Sequence, residues 1–292
     1  MYSAITANKR NTIVIMIVFV LLVGLVGLGF GYYENSMTLS AIILVIAAIY
    51  ALFQYFAASK LAVMATGAQE ITKNDNPRLW RIVENIAITD GLPMPKVYII
   101  DDPAPNAFAT GRDPNRSLVC ATTGILDIMN DREMTAVMAH EMGHVKNYDI
   151  RVSMITFGLV SAIGLITNIA MRMLWFGDDR DRNNQNPLMF VAIVVVVILS
   201  PIIAALIQLA ISRQREYLAD ATSVMTTRDP EAMVSALQKL QTTTRPMQRQ
   251  DHATSHLFFA NPLKAGLMNN LFSTHPPLDQ RIARIQKNEG RM

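Results

Sequence analysis

Four apolar runs constrain this chain more than any other feature: residues 12–30, 37–56, about 154–174 and about 188–211. Each is close to the roughly 20 residues that a helix needs to cross the hydrocarbon core of a bilayer. That core offers no water to unpaired backbone groups, so a span must be a helix or part of a closed barrel. The apolar share of the chain is 51% against 17% charged, with the excess concentrated in these runs. What lies between them is composed like a water-soluble protein. Lys9 and Arg10 precede the first run, which is longer than the apolar core of a signal peptide and has no small-residue cleavage site after it. It therefore reads as a retained span.

Lys and Arg near the span ends set the orientation. Lys9, Arg10, Lys60, Arg151, Arg213 and Arg215 share one side if the four segments alternate, against Arg172, Arg180 and Arg182 on the other. The fuller basic side is cytoplasmic, which puts both termini there. Tyr32, Tyr33 and Trp175 lie at span ends, as interfacial aromatics do. Gly27 and Gly31 form a small-xxx-small pair suited to close helix packing. Pro201 kinks the fourth run, and the polar content of 178–186 leaves shallower insertion of the second pair open. The resulting division is 1–57, a transmembrane hairpin; 58–152, cytoplasmic; 153–211, a second transmembrane hairpin; and 212–292, cytoplasmic.

The soluble stretches carry their own signals. Pro77 opens a helix with Leu79, Ile82, Val83 and Ile86 at helical spacing, stopped by Gly91. Short strand-like runs follow at 96–100, 106–110 and 118–122, separated by turn residues. A second helix begins near Asp131, a third at Asp229-Pro230-Glu231, and a last one after Pro276-Pro277, with Leu278, Ile282 and Ile285 on one face. Residues 241–256, rich in Thr, Gln and Arg, read as a mobile loop. The net charge of +3 comes without a basic patch interleaved with aromatics, which excludes a nucleic-acid partner. The single cysteine, Cys120, excludes an intramolecular disulfide and a Cys-rich zinc module, and reads as a small core residue.

The chemistry sits in His140-Glu141-Met142-Gly143-His144. Residues four apart share one helix face, so both imidazoles can reach a single ion, zinc by ligand type. Glu141 can then reach a metal-activated water and take its proton as that water attacks a peptide carbonyl. Such a site wants a third protein ligand, and Glu216, Asp220, His252, His256 and His275 are all downstream candidates. Glu216 and Asp220 lie one turn apart, so one can bind the metal while the other holds a histidine, but a solvated face paired with Arg213 and Arg215 is equally consistent. His252 and His256, with Ala253 between them, read as exposed loop histidines. Glu216 follows the fourth run by about five residues and His144 precedes the third by about ten, so the ion is tied to the membrane surface from both sides.

The HEMGH motif, the downstream SRQREYLAD and FSTHPPL, and PNAFATG at 105–111 together resemble the HtpX family of bacterial membrane zinc metalloproteases, which is related to the CAAX prenyl proteases. The resemblance runs over nearly the whole chain. It implies a mainly α integral membrane protein: four transmembrane helices with a zincin-like α+β cytoplasmic catalytic domain of gluzincin type and a small sheet. It assigns Glu216 as third zinc ligand beside His140 and His144, Asp220 as the residue orienting a ligand histidine, and Glu141 as base. His275 becomes a candidate for oxyanion stabilisation or substrate contact. Asn106, Ala107 and Phe108 match the edge strand along which an extended substrate adds. The implied activity is stress-response proteolysis of misfolded or damaged membrane proteins at the inner membrane, with one Zn2+ per chain, the lipid bilayer and extended polypeptides as partners, and other quality-control proteases as candidate partners. A narrower processing protease and a zinc-stabilised, non-proteolytic scaffold are the alternatives.

Overall fold

The computed structural model describes residues 2–33, 35–176, 213–243, 245–249, 254–260 and 276–288, with positions 194 and 197. The fourth apolar run apart from positions 194 and 197, the loop 178–186, His252 and His275 lie outside the described residues. Among the described residues, three helices are long and apolar enough to cross a bilayer. They are α1 (Tyr2–Tyr33), α2 (Met37–Thr66) and α6 (Asp149–Phe176).

All three are longer than the apolar runs that announced them. Hydropathy marks where a helix meets lipid, and these helices continue where their neighbour is protein. Asn8 and Thr12 on α1 are buried, as are Ala58 and Ala62 on α2, whereas Leu21, Leu25, Ile46 and Phe53 face outward. The α1–α2 hairpin closes through the small-residue pair. A Cβ on Gly27 would fall 2.8 Å from Ile43 Cγ2, and the Ser40 hydroxyl donates to the Gly27 carbonyl at 3.0 Å. α6 packs against both helices of the hairpin.

The soluble body contains a four-stranded sheet of order β1-β2-β4-β3. Its strands are β1 (Gln69–Glu70), β2 (Lys96–Ile100), β3 (Ala107–Gly111) and β4 (Ser117–Thr122). β4 lies parallel to β2 and antiparallel to β3, which leaves β3 at the rim of the sheet. Both faces are buried because successive side chains alternate. Val97, Ala107, Ala109, Val119 and Ala121 pack on α3 (Pro77–Asp90) and α5 (Asp131–Lys146). Ile100, Phe108, Leu118 and Cys120 pack among Met154, Ile155 and Phe157 of α6 and Ala58 and Ala62 of α2. The sheet is thus the layer between the HExxH helix and the ends of the membrane helices. Cys120 is a buried core residue, and burial pushes its thiol up.

Helix starts follow local chemistry. At α3, the Asn76 side chain accepts from Leu79 N–H with Pro77 at the first turn. At α5, Asn130 and Glu133 form a reciprocal capping box. The short α4 (Thr123–Ile128) and the strand β1 carried no readable sequence signal. Downstream lie α7 (Gln214–Thr227), α8 (Pro230–Thr242) and α9 (Leu278–Asn288). Residues 245–249 are anchored at one point: Met247 is buried and the Gln248 N–H donates to Asp102 at 2.8 Å, while the other side chains of the segment are exposed.

Candidate metal centre

α5 brings His140 and His144 to one face, and α7 lays Glu216 against them. The helices approach closely at Gly143, where a Cβ would lie 3.2 Å from Thr222 Cβ and 3.5 Å from Ala219 Cα. The Ser223 hydroxyl adds a 2.6 Å bond to the Ala136 carbonyl. Gly143→Val is expected to wedge α7 away, costing about 1–3 kcal/mol of overpacking and weakening metal retention. Metal content after dialysis checks this, and undiminished content would show that the two helices can repack around the larger side chain.

Three ligand atoms converge. His140 Nε2 and His144 Nε2 are 3.1 Å apart, and Glu216 oxygens lie 3.6 Å from the first and 3.5 Å from the second. A tetrahedral ion bonded to N and O at about 2.0–2.1 Å requires its ligand atoms about 3.3 Å apart. The two imidazoles and the carboxylate, with one Glu216 oxygen near each ring, therefore lie close enough together to hold a metal ion.

Carboxylates behind the ring nitrogens fix the tautomers. Asp220 lies 2.9 Å from His140 Nδ1, and Asp149 lies 2.9 Å from His144 Nδ1. Each imidazole thus donates from Nδ1 and turns an Nε2 lone pair inward. Two such lone pairs facing each other at 3.1 Å repel unless a cation lies between them. Burial pushes the His140 imidazole down, but its contacts with Asp220 and Glu216 outweigh that and leave it raised. Burial likewise pushes Asp220 up, yet the Arg281 guanidinium holds it below the usual carboxylate range.

Glu141 is buried and lines the same cavity as His144, Glu216 and Ala109. Burial in the first place, with the nearby Glu216 charge, pushes its carboxyl up to about 7, where it can serve as a proton acceptor.

Two residues here escaped sequence reasoning. Asp149 follows His144 by a turn outside the motif, with Tyr148 in the left-handed region at φ 61°. Arg281 lies on the apolar face of α9, three residues after Leu278 and one before Ile282, and is completely buried. It donates to both oxygens of Asp220 at 2.6 and 3.0 Å and stacks on Phe259, with 4.6 Å to the ring centroid. An arginine on the apolar stripe was the available signal.

Asn106, Ala107 and Phe108, expected along the substrate cleft, are engaged by the chain itself. The Phe259 N–H donates to the Ala107 carbonyl at 2.7 Å, Phe108 bridges to Phe258, and the Asn106 amide donates to the Ala260 carbonyl at 2.8 Å. Beyond this, no described strand pairs with the outer edge of Ala109–Gly111. His256 is not an exposed loop residue: it is buried, with Nε2 2.9 Å from the Ser153 carbonyl. It sits on the cavity wall rather than among the converging ligand atoms.

Two imidazoles and a carboxylate spaced for a metal ion, a buried glutamate beside them, and helices long and apolar enough to cross a bilayer are what a membrane metallopeptidase requires. A sequence model of Peptidase family M48 matches residues 73–289. A protein named Protease HtpX homolog from Tropheryma whipplei (strain Twist) is 55% identical over 287 residues, 98% of each chain. One of the same name from Lactobacillus helveticus (strain DPC 4571) is 45% identical over 297 residues, 98% of this chain and 99% of the relative. This chain belongs to peptidase family M48 and, within it, to the HtpX proteases. The crystal structure of S. mikatae Ste24p shares the fold, with a TM-score of 0.51 at 17% identity over 98% of this chain and 67% of that one.

Proposed function

We propose that this protein is a zinc-dependent endopeptidase that cleaves misfolded or damaged membrane proteins at the cytoplasmic face of the bacterial inner membrane, as part of stress-response quality control. One observation carries the reading: the residue that orients His144 is Asp149, the first residue of a membrane helix. The active site is therefore built on the membrane segment, and substrates that present themselves at the bilayer surface have the shortest path to it. Zinc suits a site of two imidazoles and one carboxylate at near-tetrahedral spacing.

His140, His144 and Glu216 would hold the ion, leaving a fourth position open. A zinc ion there supplies Lewis acidity, lowering the pKa of water and polarising the scissile carbonyl. Asp220 and Asp149 hold the two imidazoles in register. Glu141 takes a proton from the attacking water and passes it to the leaving amine. An extended substrate adds along the outer edge of Ala109–Gly111, where main-chain groups give affinity with little sequence preference.

The test uses purified, zinc-loaded protein in lipid, given a membrane protein and a denatured soluble protein, each with and without a chelator. Chelator-sensitive cleavage, faster on the membrane substrate, is expected. A strong preference for the soluble substrate in lipid would sink the membrane-surface reading. The covered edge at Ala107 and Phe108 favours a second reading, a narrower processing protease, which would cut one terminal motif and leave both test proteins intact.

A further inference from the structure

Beyond the ligands and the base, the geometry points to Asn8, on the first membrane helix, as a positioning residue for the metal site. Its amide nitrogen donates to Asp149 Oδ1 at 2.6 Å and to the Asn147 carbonyl at 2.9 Å. The other Asp149 oxygen, Oδ2, holds His144 Nδ1 at 2.9 Å. A chain of hydrogen bonds thus runs from α1 through Asp149 to His144, one of the converging ligand residues.

Asn8 is only 5% exposed, and an amide removed from water is costly unless it is bonded. Both of its bonds go to the residues flanking Tyr148, the left-handed link between α5 and α6. The same joint is gripped by Lys9, 4.6 Å from the Tyr148 ring centroid. On α1 itself, the Thr12 hydroxyl donates to the Asn8 carbonyl at 2.9 Å.

Asp149 is itself 2% exposed, and its neighbours divide the work. Arg215 balances its charge, with Nη1 3.7 Å from Oδ1 and 3.3 Å from the backbone carbonyl. Asn8 supplies direction. With Oδ1 fixed by the Asn8 amide, the carboxylate cannot rotate, so Oδ2 stays aligned with Nδ1 and the His144 lone pair stays aimed at the ion. The first span is then part of the metal site as well as an anchor.

This rests on His144 being a zinc ligand, so zinc uptake by the wild type is measured first. The full-length protein in nanodiscs is titrated with Zn2+ against a chromogenic chelator. Asn8→Leu keeps the side-chain shape and removes the donor. Its zinc affinity is expected to fall about ten-fold, the lower end for residues behind a ligand. In an Asp149→Ala background, where no side-chain oxygen is left for the Asn8 amide or for His144, the same change should have no further effect, because the two residues act in series. Leu21→Ala, lipid-facing on the same helix, should bind zinc like the wild type. If Asn8→Leu does not fold, Asn8→Ser, too short to reach Asp149, is read in the same way. Wild-type affinity in the Asn8 variant, or losses that add in the double variant, would overturn the role and leave Asn8 a packing residue. A wild type that takes up no zinc would overturn the metal assignment and this inference together.

Discussion

Glu141→Gln is expected to lower peptide hydrolysis by about 10³-fold, within the usual range for a positioned acid–base group, while zinc content stays at the wild-type level. The substitution keeps the side-chain shape and removes the proton acceptor. The converging ligand atoms belong to His140, His144 and Glu216, so the metal set is untouched. Removing a negative charge from beside Glu216 does not strain the site. The base form of Glu141 is the ionised one, so kcat/KM in the wild type should fall as pH drops through its titration. Without a metal, burial sets that titration at about 7, and a nearby dication draws it lower. The variant's residual rate should lack this acid limb. Hydrolysis within ten-fold of wild type at equal zinc content would remove Glu141 from the mechanism. A metal-stabilised scaffold predicts a different pattern, with no chelator-sensitive hydrolysis in either protein.

How much of this was legible in the sequence depended on the range of the interaction. The HExxH face needs only helical periodicity, so His140, Glu141 and His144 could be placed at once. Glu216 could not be chosen from spacing, because its approach depends on α7 packing across Gly143, a contact between helices far apart in the chain. Asp149 was invisible because a left-handed Tyr148 turns the chain back, and tyrosine gives no warning of such a turn. The strands were readable as runs, but their order was not: β4 inserts between β2 and β3, and the two faces it buries belong to different parts of the chain. The edge of β3 was recognisable as a motif. That Phe258 and Phe259 cover part of it was not, since two aromatics after a polar stretch carry no pairing signal.

The buried Arg281–Asp220 pair sets up the largest expected effect on stability. Arg281 is fully buried and Asp220 nearly so, and their contact is bidentate, a geometry that makes such pairs strong. Arg281→Met fills a similar volume but leaves the Asp220 charge without its main counter-ion. Breaking a buried pair from one side costs about 3–5 kcal/mol, so the thermal unfolding midpoint should drop sharply. Asp220 would then relieve its burial by taking up a proton, and a protonated carboxyl holds His140 Nδ1–H less firmly, so zinc affinity should fall with stability. The double variant Arg281→Met with Asp220→Asn separates the two effects. Its neutral amide needs no counter-ion and still offers an oxygen to His140, so most of the stability should return. Zinc affinity should recover less, because an amide oxygen is a weaker acceptor than a carboxylate. If the double variant were as unstable as Arg281→Met alone, charge burial would not be the cause. The loss would then lie in the other contacts of Arg281, its stacking on Phe259 and its bond to the Phe259 carbonyl at 3.3 Å. The C-terminal helix would in that case act by pinning the segment that covers the sheet edge, rather than by balancing the charge behind His140.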